Sequence, residues 1–358
     1  MLASFIIAFI LGSTGNTLVL VVVIGKRARR TVNDIFIMNL AVSDLLFICF
    51  LPLFIYENLA KQKVEKNVGL CKFITPTITT TYLLSIFTLT SMSVHRCQVI
   101  INPFKQELSQ KQTAVWIAII WLLSFLVILP LIIVNDIDLK NSALCSELWP
   151  SDQYRKSYTV ALFVIQYVIP LFVIAISYIR IGLDLSRSSS KDKLPKSQIC
   201  RARRKENMQV IKTLATIVTL FALFMLPGQI AWLILDFGEA KHEQFAEAMK
   251  TYTLPVTIFH SCLNPLVYGT VTRQFRRDYM RYLAHLLCCC PEIKNEIIRH
   301  CASPQNTDAS QQAHKKLKED SRYYGSSDRC NGTSVALFTA INGRTSPSRS
   351  ENEDENTM

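Results

Sequence analysis

The sequence predicts an all-α membrane protein: a seven-transmembrane helix bundle with a short amphipathic eighth helix and a disordered cytoplasmic tail. Three observations lead there. Half of the 358 residues are hydrophobic and only 18% are charged, with a mean hydropathy of +0.24. The apolar residues fall into long runs separated by short basic loops, not into one globular core. The last run ends in Asn264-Pro265-Leu266-Val267-Tyr268. An Asn-Pro pair inside a spanning segment removes a backbone donor, and hydrocarbon cannot satisfy the freed carbonyl. Such a site reads as a moving part braced by neighbouring helices.

About 20 apolar residues cross a bilayer. By that rule the spans are expected at residues 1–24, 33–60, 68–101, 114–134, 158–183, 208–235 and 245–271. The third, fifth and sixth exceed the bilayer thickness and should tilt or protrude. Residues 1–272 therefore form the bundle. Residues 273–290 form an amphipathic surface helix with a cysteine cluster, and 291–358 a polar tail. Met1 lies almost inside the first span, so the segment before it is expected to be unusually short or incomplete.

Charge sets the topology. Lys26, Arg27, Arg29 and Arg30 follow the first span, Arg201, Arg203, Arg204 and Lys205 precede the sixth, and Arg273, Arg276, Arg277 and Arg281 follow the seventh. All lie on one side, whereas the opposite loops mix Lys and Arg with Asp and Glu. The basic side is expected to be cytoplasmic, with the N-terminus outside and the tail inside. The net charge of +12 then marks the inner membrane surface rather than a nucleic-acid partner.

Cys71 opens the third span and Cys145 lies in the loop after the fourth, both on the oxidising side. A disulfide between them would pin that loop over the bundle mouth; the alternative is two unrelated buried thiols. Cys288, Cys289 and Cys290 follow a basic stretch whose Phe275, Tyr279, Tyr282 and Leu283 can share one helical face. This points to palmitoylation at the inner leaflet, against free cytosolic thiols. Polar residues within spans are costly and mark function. Asp44 is the strongest, with Asn16, Ser85, Asn264 and His260 as possible neighbours. Oxygen ligands from Asp44, Ser85 and Asn264 suit Na⁺, and simple hydrogen bonding to Asn16 and Asn264 is the alternative. Arg96 lies roughly 37 Å along a helix from Cys71, at the inner surface.

These residues, in this order and spacing, resemble the rhodopsin-like (class A) G-protein-coupled receptors over about residues 10–290. The resemblance is carried by Gly15-Asn16, Leu40-Ala41-Val42-Ser43-Asp44, Cys71, Arg96, Trp121, Pro170, Tyr178, Phe221, Pro227 and Asn264-Pro265 through Tyr268. It implies that an extracellular agonist moves the sixth span outward and opens a cytoplasmic cleft for a heterotrimeric G protein. Arg96, Tyr178 and Tyr268 would rearrange to hold that cleft. The chain departs from the family in three places. His95 stands where an acid usually precedes the arginine, Met225 where a tryptophan usually precedes Pro227, and Asn207 where the sixth span usually carries an acid.

The loop text Cys145-Ser146-Glu147-Leu148-Trp149-Pro150, with Arg155, Tyr158, Gln166-Tyr167 and Pro170-Leu171, resembles neuropeptide Y, neuropeptide FF and QRFP-type peptide receptors. Ile78 excludes an amine pocket, and Ile258 excludes a retinal Schiff base. The expected ligand is therefore an extracellular peptide. Its pocket is expected from Thr75, Ile78, Thr79, Tyr82, Gln166, Gln229, Trp232 and Leu254, with Glu147 or Asp236 attracting a cationic group. Serines and threonines of the tail, among them Ser326, Ser327, Thr333 and Ser334, are candidate phosphosites for arrestin. No internal repeat, nucleophile–base pair or pore filter favours a transporter, an enzyme or a channel. A non-signalling or constitutively active receptor-like protein of the same fold is the alternative that His95 and Met225 raise.

Overall fold

The computed structural model describes residues 2–26, 30–59, 68–102, 108–138, 144–191, 198–271 and 275–280. The tail and the Cys288–Cys290 cluster lie outside them, as do the side chains of Cys71, Cys145, Asn207 and Leu254. The rods are α1 (Leu2–Gly25), α2 (Val32–Leu59), α3 (Val68–Ile101), α4 (Gln110–Val134), α5 (Asp152–Phe163), α6 (Ile169–Lys191), α7 (Gln198–Phe237) and α8 (Glu243–Val271). A π-helical turn, Val164–Val168, joins α5 to α6, so the two form the single fifth span. Residues 275–280 are helical, within the stretch 273–290 expected as a surface helix.

With α5 and α6 taken as one span, six spans are long and apolar enough to cross a membrane. The seventh, α8, is long enough at 29 residues, or roughly 44 Å. Its sequence is diluted by Glu243, Glu247, Lys250, His260 and Asn264. Several helices outrun their apolar cores because local signals, not hydropathy, end them. Ser109 caps α4 in a reciprocal capping box with Gln112, which starts the helix at Gln110 rather than 114. Charged outer turns carry α5 and α7 beyond the predicted 158 and 235.

The segment between the fourth and fifth spans was expected as a loop. Instead β1 (Asn135–Asp138) and β2 (Leu144–Glu147) form an antiparallel hairpin with Ile137 opposite Cys145. Lys72 of α3 reaches Asp136 of β1 at 3.7 Å, seating the hairpin on the outer end of α3.

Inside the bundle most backbone groups are satisfied within each helix, prolines excepted, and polar side chains tie helices together. Trp121 of α4 donates to Asn39 of α2 (2.9 Å), and Asn39 donates to Thr88 of α3 (2.8 Å). This three-helix tie gives the tryptophan expected from the family resemblance a physical role. An apolar core then runs from Val19, Val22 and Val23 through Phe36, Leu40 and Leu89 to Leu214, Phe221 and Met225. At Gly15 of α1 a Cβ would lie 2.9 Å from the Cβ of Pro265, so only glycine lets α1 close on the Asn-Pro kink of α8.

Candidate functional site

The residues singled out by sequence fall into three layers along the bundle. The outer layer is a charged mouth. Asp236, at the outer end of α7, has a side chain only 6% exposed and lies 3.1 Å from Nε of Arg155 on α5. That Nε–H is not aimed along the line to the carboxylate, so this is an ion contact rather than an aligned hydrogen bond. Thr159, one turn further along α5, donates to the second oxygen of Asp236. Glu147 ends β2 and accepts from the Trp149 indole at 2.8 Å; the Trp149 ring packs on Tyr158 at 5.1 Å. Burial pushes the Glu147 carboxyl up from the ordinary glutamate range. The Trp149 bond opposes that shift, the Asp236 charge adds to it, and Lys250 and Arg155 oppose it. Lys250 itself sits over the Trp232 ring, 4.3 Å from its centroid.

Below the mouth, Thr75, Ile78, Thr79 and Tyr82 share one face of α3 at i, i+3, i+4 and i+7 spacing. Tyr82 packs on Phe47 at 5.6 Å. Gln166 is buried within the π turn, and its neighbour Tyr167 donates to the Ala222 carbonyl of α7 at 3.1 Å. Gln229 is half-buried, whereas Trp232 is exposed and carries Lys250 over its ring.

The middle layer centres on Asp44. Its side chain and that of Asn264 are both buried, and the Asn264 amide donates to Asp44 Oδ2 at 2.7 Å. Ser261 flanks the same carboxylate. Ser85 turns instead to Ser43 at 3.3 Å, one residue away from Asp44. Asn16 donates to the Gly12 and Ser261 carbonyls rather than to Asp44. The amide oxygens of Asn16 and Asn264 are buried without a hydrogen-bond partner. One carboxylate plus orphaned amide oxygens is a donor set that fits a small hard cation. Among the described residues no three His, Cys, Asp or Glu side chains gather as a metal cluster.

The layer at the opposite end of the bundle holds His95, Arg96, Tyr178 and Tyr268. His95 is buried and tilts against Phe36 of α2 at 6.3 Å. Tyr178 of α6 faces Ser93 and Arg96 of α3. Tyr268 is buried and stacks on Phe275 at 5.5 Å. Lys26 covers that Phe275 ring at 4.7 Å and pairs with the buried Asp34 at 2.6 Å. Phe221 meets His260 edge-on at 5.0 Å, one turn below the buried Met225 and near Pro227. Sequence reasoning named Tyr268 but missed its Lys26–Asp34–Phe275 support. It also missed the Arg155–Asp236 pair. Charges of opposite sign at the outer ends of the fifth and sixth spans were the only signal for it.

The family model described as 7 transmembrane receptor (rhodopsin family) matches residues 15–268. The chain belongs to this family, the class A G-protein-coupled receptors. The receptor is 30% identical to Neuropeptide FF receptor 1 of Rattus norvegicus over 310 residues, covering 81% of this chain and 71% of that one. It is 30% identical to Neuropeptide FF receptor 2 of Rattus norvegicus over 78% of this chain and 71% of that one. It is 28% identical to the Pyroglutamylated RF-amide peptide receptor of Mus musculus over 83% of this chain and 70% of that one. As a member of this family the receptor is a multi-pass plasma-membrane protein and not an enzyme.

Proposed function

We propose that the receptor binds an extracellular peptide with a cationic end and activates heterotrimeric G proteins. The observation that carries this reading is the mouth, where Asp236 lies 3.1 Å from the Arg155 guanidinium and Glu147 is near enough for its charge to interact with both. Two inward-facing acids, one deeply buried, suit a ligand cation far better than a neutral or anionic group. Relatives whose names declare neuropeptide FF or RF-amide peptides as ligands support it. The N-terminus faces outside and the tail the cytoplasm, as the basic loops require.

Below the mouth, Thr75, Ile78, Thr79, Tyr82, Gln166 and Gln229 would line the pocket, with Leu254 opposite. Cys71 and Cys145 would be disulfide-bonded. The Lys72–Asp136 contact and the pairing of Ile137 with Cys145 support this, because they bring the residues beside both cysteines together. Asp44 and Asn264, with Ser85 nearby, would hold Na⁺, which supplies a positive charge to a buried carboxylate. Arg96, Tyr178, Phe221, Pro227, Pro265 and Tyr268 would form the switch that opens the cytoplasmic cleft. Cys288, Cys289 and Cys290 would carry lipid, and the phosphorylated tail would recruit arrestin.

The test is a screen of amidated peptides on cells expressing the full chain, read by calcium and cAMP. Arginine-containing peptides should activate at lower concentration than their neutral citrulline analogues. Activity confined to anionic or uncharged ligands would sink the reading. A second reading is favoured by His95 and Met225, which replace two residues of the family's usual switch: a receptor that binds ligand without signalling. It predicts saturable peptide binding with no G-protein response.

A further inference from the structure

Arg155 is the feature of the mouth that binding of a cationic peptide does not by itself require. Its guanidinium stands where a cationic ligand group would have to go. Asp236 is buried and cannot be left bare: an unpaired carboxylate in such a site is strongly disfavoured. Arg155 is its partner, yet the contact has the marks of an exchangeable one. The Arg155 side chain is 39% exposed against 6% for Asp236, so it can swing into solvent without crossing packed side chains. Its Nε–H is misaligned with the carboxylate, so charge alone holds the contact. Asp152, on the same face of α5 and largely exposed, lies 3.7 Å from its Nη2 and gives the displaced guanidinium a second resting place.

The groups around Asp236 are arranged to hold a cation. Thr159 fixes one Asp236 oxygen, Trp149 holds Glu147, and Glu147 lies near enough for its charge to interact with those of Asp236 and Arg155. We propose that Arg155 is a resident surrogate for the ligand's cation, filling the Asp236–Glu147 slot in the resting receptor and setting the affinity threshold that a cationic ligand must exceed. This deepens the peptide reading and rests on it for the nature of the natural ligand, although not for the existence of the slot.

The threshold is a population effect. A ligand that needs an open slot binds with its intrinsic affinity reduced by the fraction of time that the slot is open. If Arg155 fills the slot nine-tenths of the time, removing it strengthens the apparent binding of a cationic ligand about tenfold. A ligand without the cation gains nothing.

Two measurements test this on the full-chain receptor. The first needs no peptide. Purified Arg155→Ala receptor in lipid nanodiscs is melted with and without ethylguanidinium, against sodium chloride at equal ionic strength. Ethylguanidinium should raise the melting temperature of Arg155→Ala but not of wild type, nor of the Arg155→Ala/Asp236→Asn double variant. Equal effects on all three would overturn the proposal. The second compares an amidated peptide ending in Arg-Phe with its citrulline analogue, on wild type and on Arg155→Gln, which removes the charge but keeps a long polar side chain and so guards against misfolding of the alanine variant. Arg155→Gln should improve the potency of the arginine peptide several-fold and leave the citrulline peptide unchanged. Equal improvement of both would also overturn it. Guanidinium rescue with neither peptide active would leave the slot standing and refute the peptide reading alone.

Discussion

Replacing Asp44 by Asn tests the middle layer most directly. The substitution keeps the shape of the side chain and removes its charge. In the structure Asp44 is 2% exposed on α2 and Asn264 2% on α8, joined at 2.7 Å. A hydrogen bond to a charged group contributes about 1.5–3 kcal/mol, and a neutral one about 0.5–1.5. The exchange therefore weakens the α2–α8 tie by about 1–1.5 kcal/mol, a five- to twelve-fold change in any equilibrium it biases. The absolute melting temperature can move either way, because the variant also relieves the cost of burying a charge. The decisive quantity is the response to sodium. A cation at ten times its dissociation constant stabilises the state it binds by about 1.4 kcal/mol, which for a bundle of this size shifts melting by about 2–5 °C. Full-chain receptor in lipid nanodiscs should melt that much higher in sodium chloride than in N-methylglucamine chloride at equal ionic strength. Asp44→Asn should abolish the difference. A sodium shift of equal size in both proteins, or none in wild type, would refute the cation site and leave Asp44 as a hydrogen-bonding carboxylate only.

Gly15→Ala places a methyl 2.9 Å from the Pro265 ring, and overpacking of this kind costs about 1–3 kcal/mol. Its melting temperature should fall, whereas Gly182→Ala, with nothing within 4 Å of the added methyl, should melt no lower than wild type, since alanine is the better helix former. Glu147 gains its proton at higher pH than an ordinary glutamate because it is buried. The potency of a cationic peptide should therefore weaken as pH falls below neutral, before ordinary carboxylates titrate, and Glu147→Gln should flatten that profile; an unchanged profile rejects a role for Glu147. His95→Asp restores the acid that family members usually pair with the arginine. A pairing of about 1.4 kcal/mol present only in the resting state would lower basal G-protein activation about tenfold at matched surface expression; unchanged basal signal would place the resting lock elsewhere. Tyr167→Phe deletes the bond to the Ala222 carbonyl. It should lower maximal agonist response while leaving peptide binding within about threefold of wild type, and loss of binding with full efficacy would contradict the lever argued below.

Hydropathy and motif spacing made the bundle legible, because every long apolar run must bury or face lipid and every motif residue sits at a fixed helical depth. The Asn264–Asp44 bond followed from the cost of isolated polar groups in the membrane, which forces them to meet. What was not legible depended on distant chain segments meeting with particular rotamers. Ser85 turns to Ser43 rather than to Asp44 because its position on α3 faces that hydroxyl, a distinction of one helical residue that spacing cannot resolve. The Asn135–Asp138 and Leu144–Glu147 strands have no alternating apolar pattern, being rich in Asp, Asn and Ser; their pairing is imposed by the helix ends they connect. The Lys26–Asp34–Phe275 support joins a loop charge, a helix-start acid and an aromatic far along the chain, and only the closed bundle relates them. The start of α4 was readable in principle, since Ser109 and Gln112 spell a capping box; hydropathy outweighed it.

The same geometry shows how a signal can pass through a receptor that lacks the family's usual tryptophan. Met225 is buried in the core, but a thioether is flexible and transmits little torque. The stiffer route runs along the fifth span. Arg155 and Tyr167 lie on one continuous rod, twelve residues and so roughly 18 Å apart. The rod is interrupted only by the π turn that buries Gln166 and presents Tyr167 to α7. Tyr167 donates to Ala222, next to the Leu223 carbonyl that Pro227 leaves without its helical partner. That stretch of α7 is where the backbone is least held and a sideways pull has most effect. In the proposed exchange a ligand cation replaces Arg155 and loosens the outer end of the rod, which Thr159 still ties to Asp236, and Tyr167 would carry the movement to the Pro227 stretch of α7. Phe221, adjacent to Ala222 and edge-on to His260, would then pass it toward Asn264-Pro265 of α8. The Tyr167→Phe and Arg155 variants probe the two ends of this route independently. If binding changes at Arg155 leave efficacy untouched while Tyr167→Phe abolishes it, the rod is not the link, and the inner pocket acts on α7 directly.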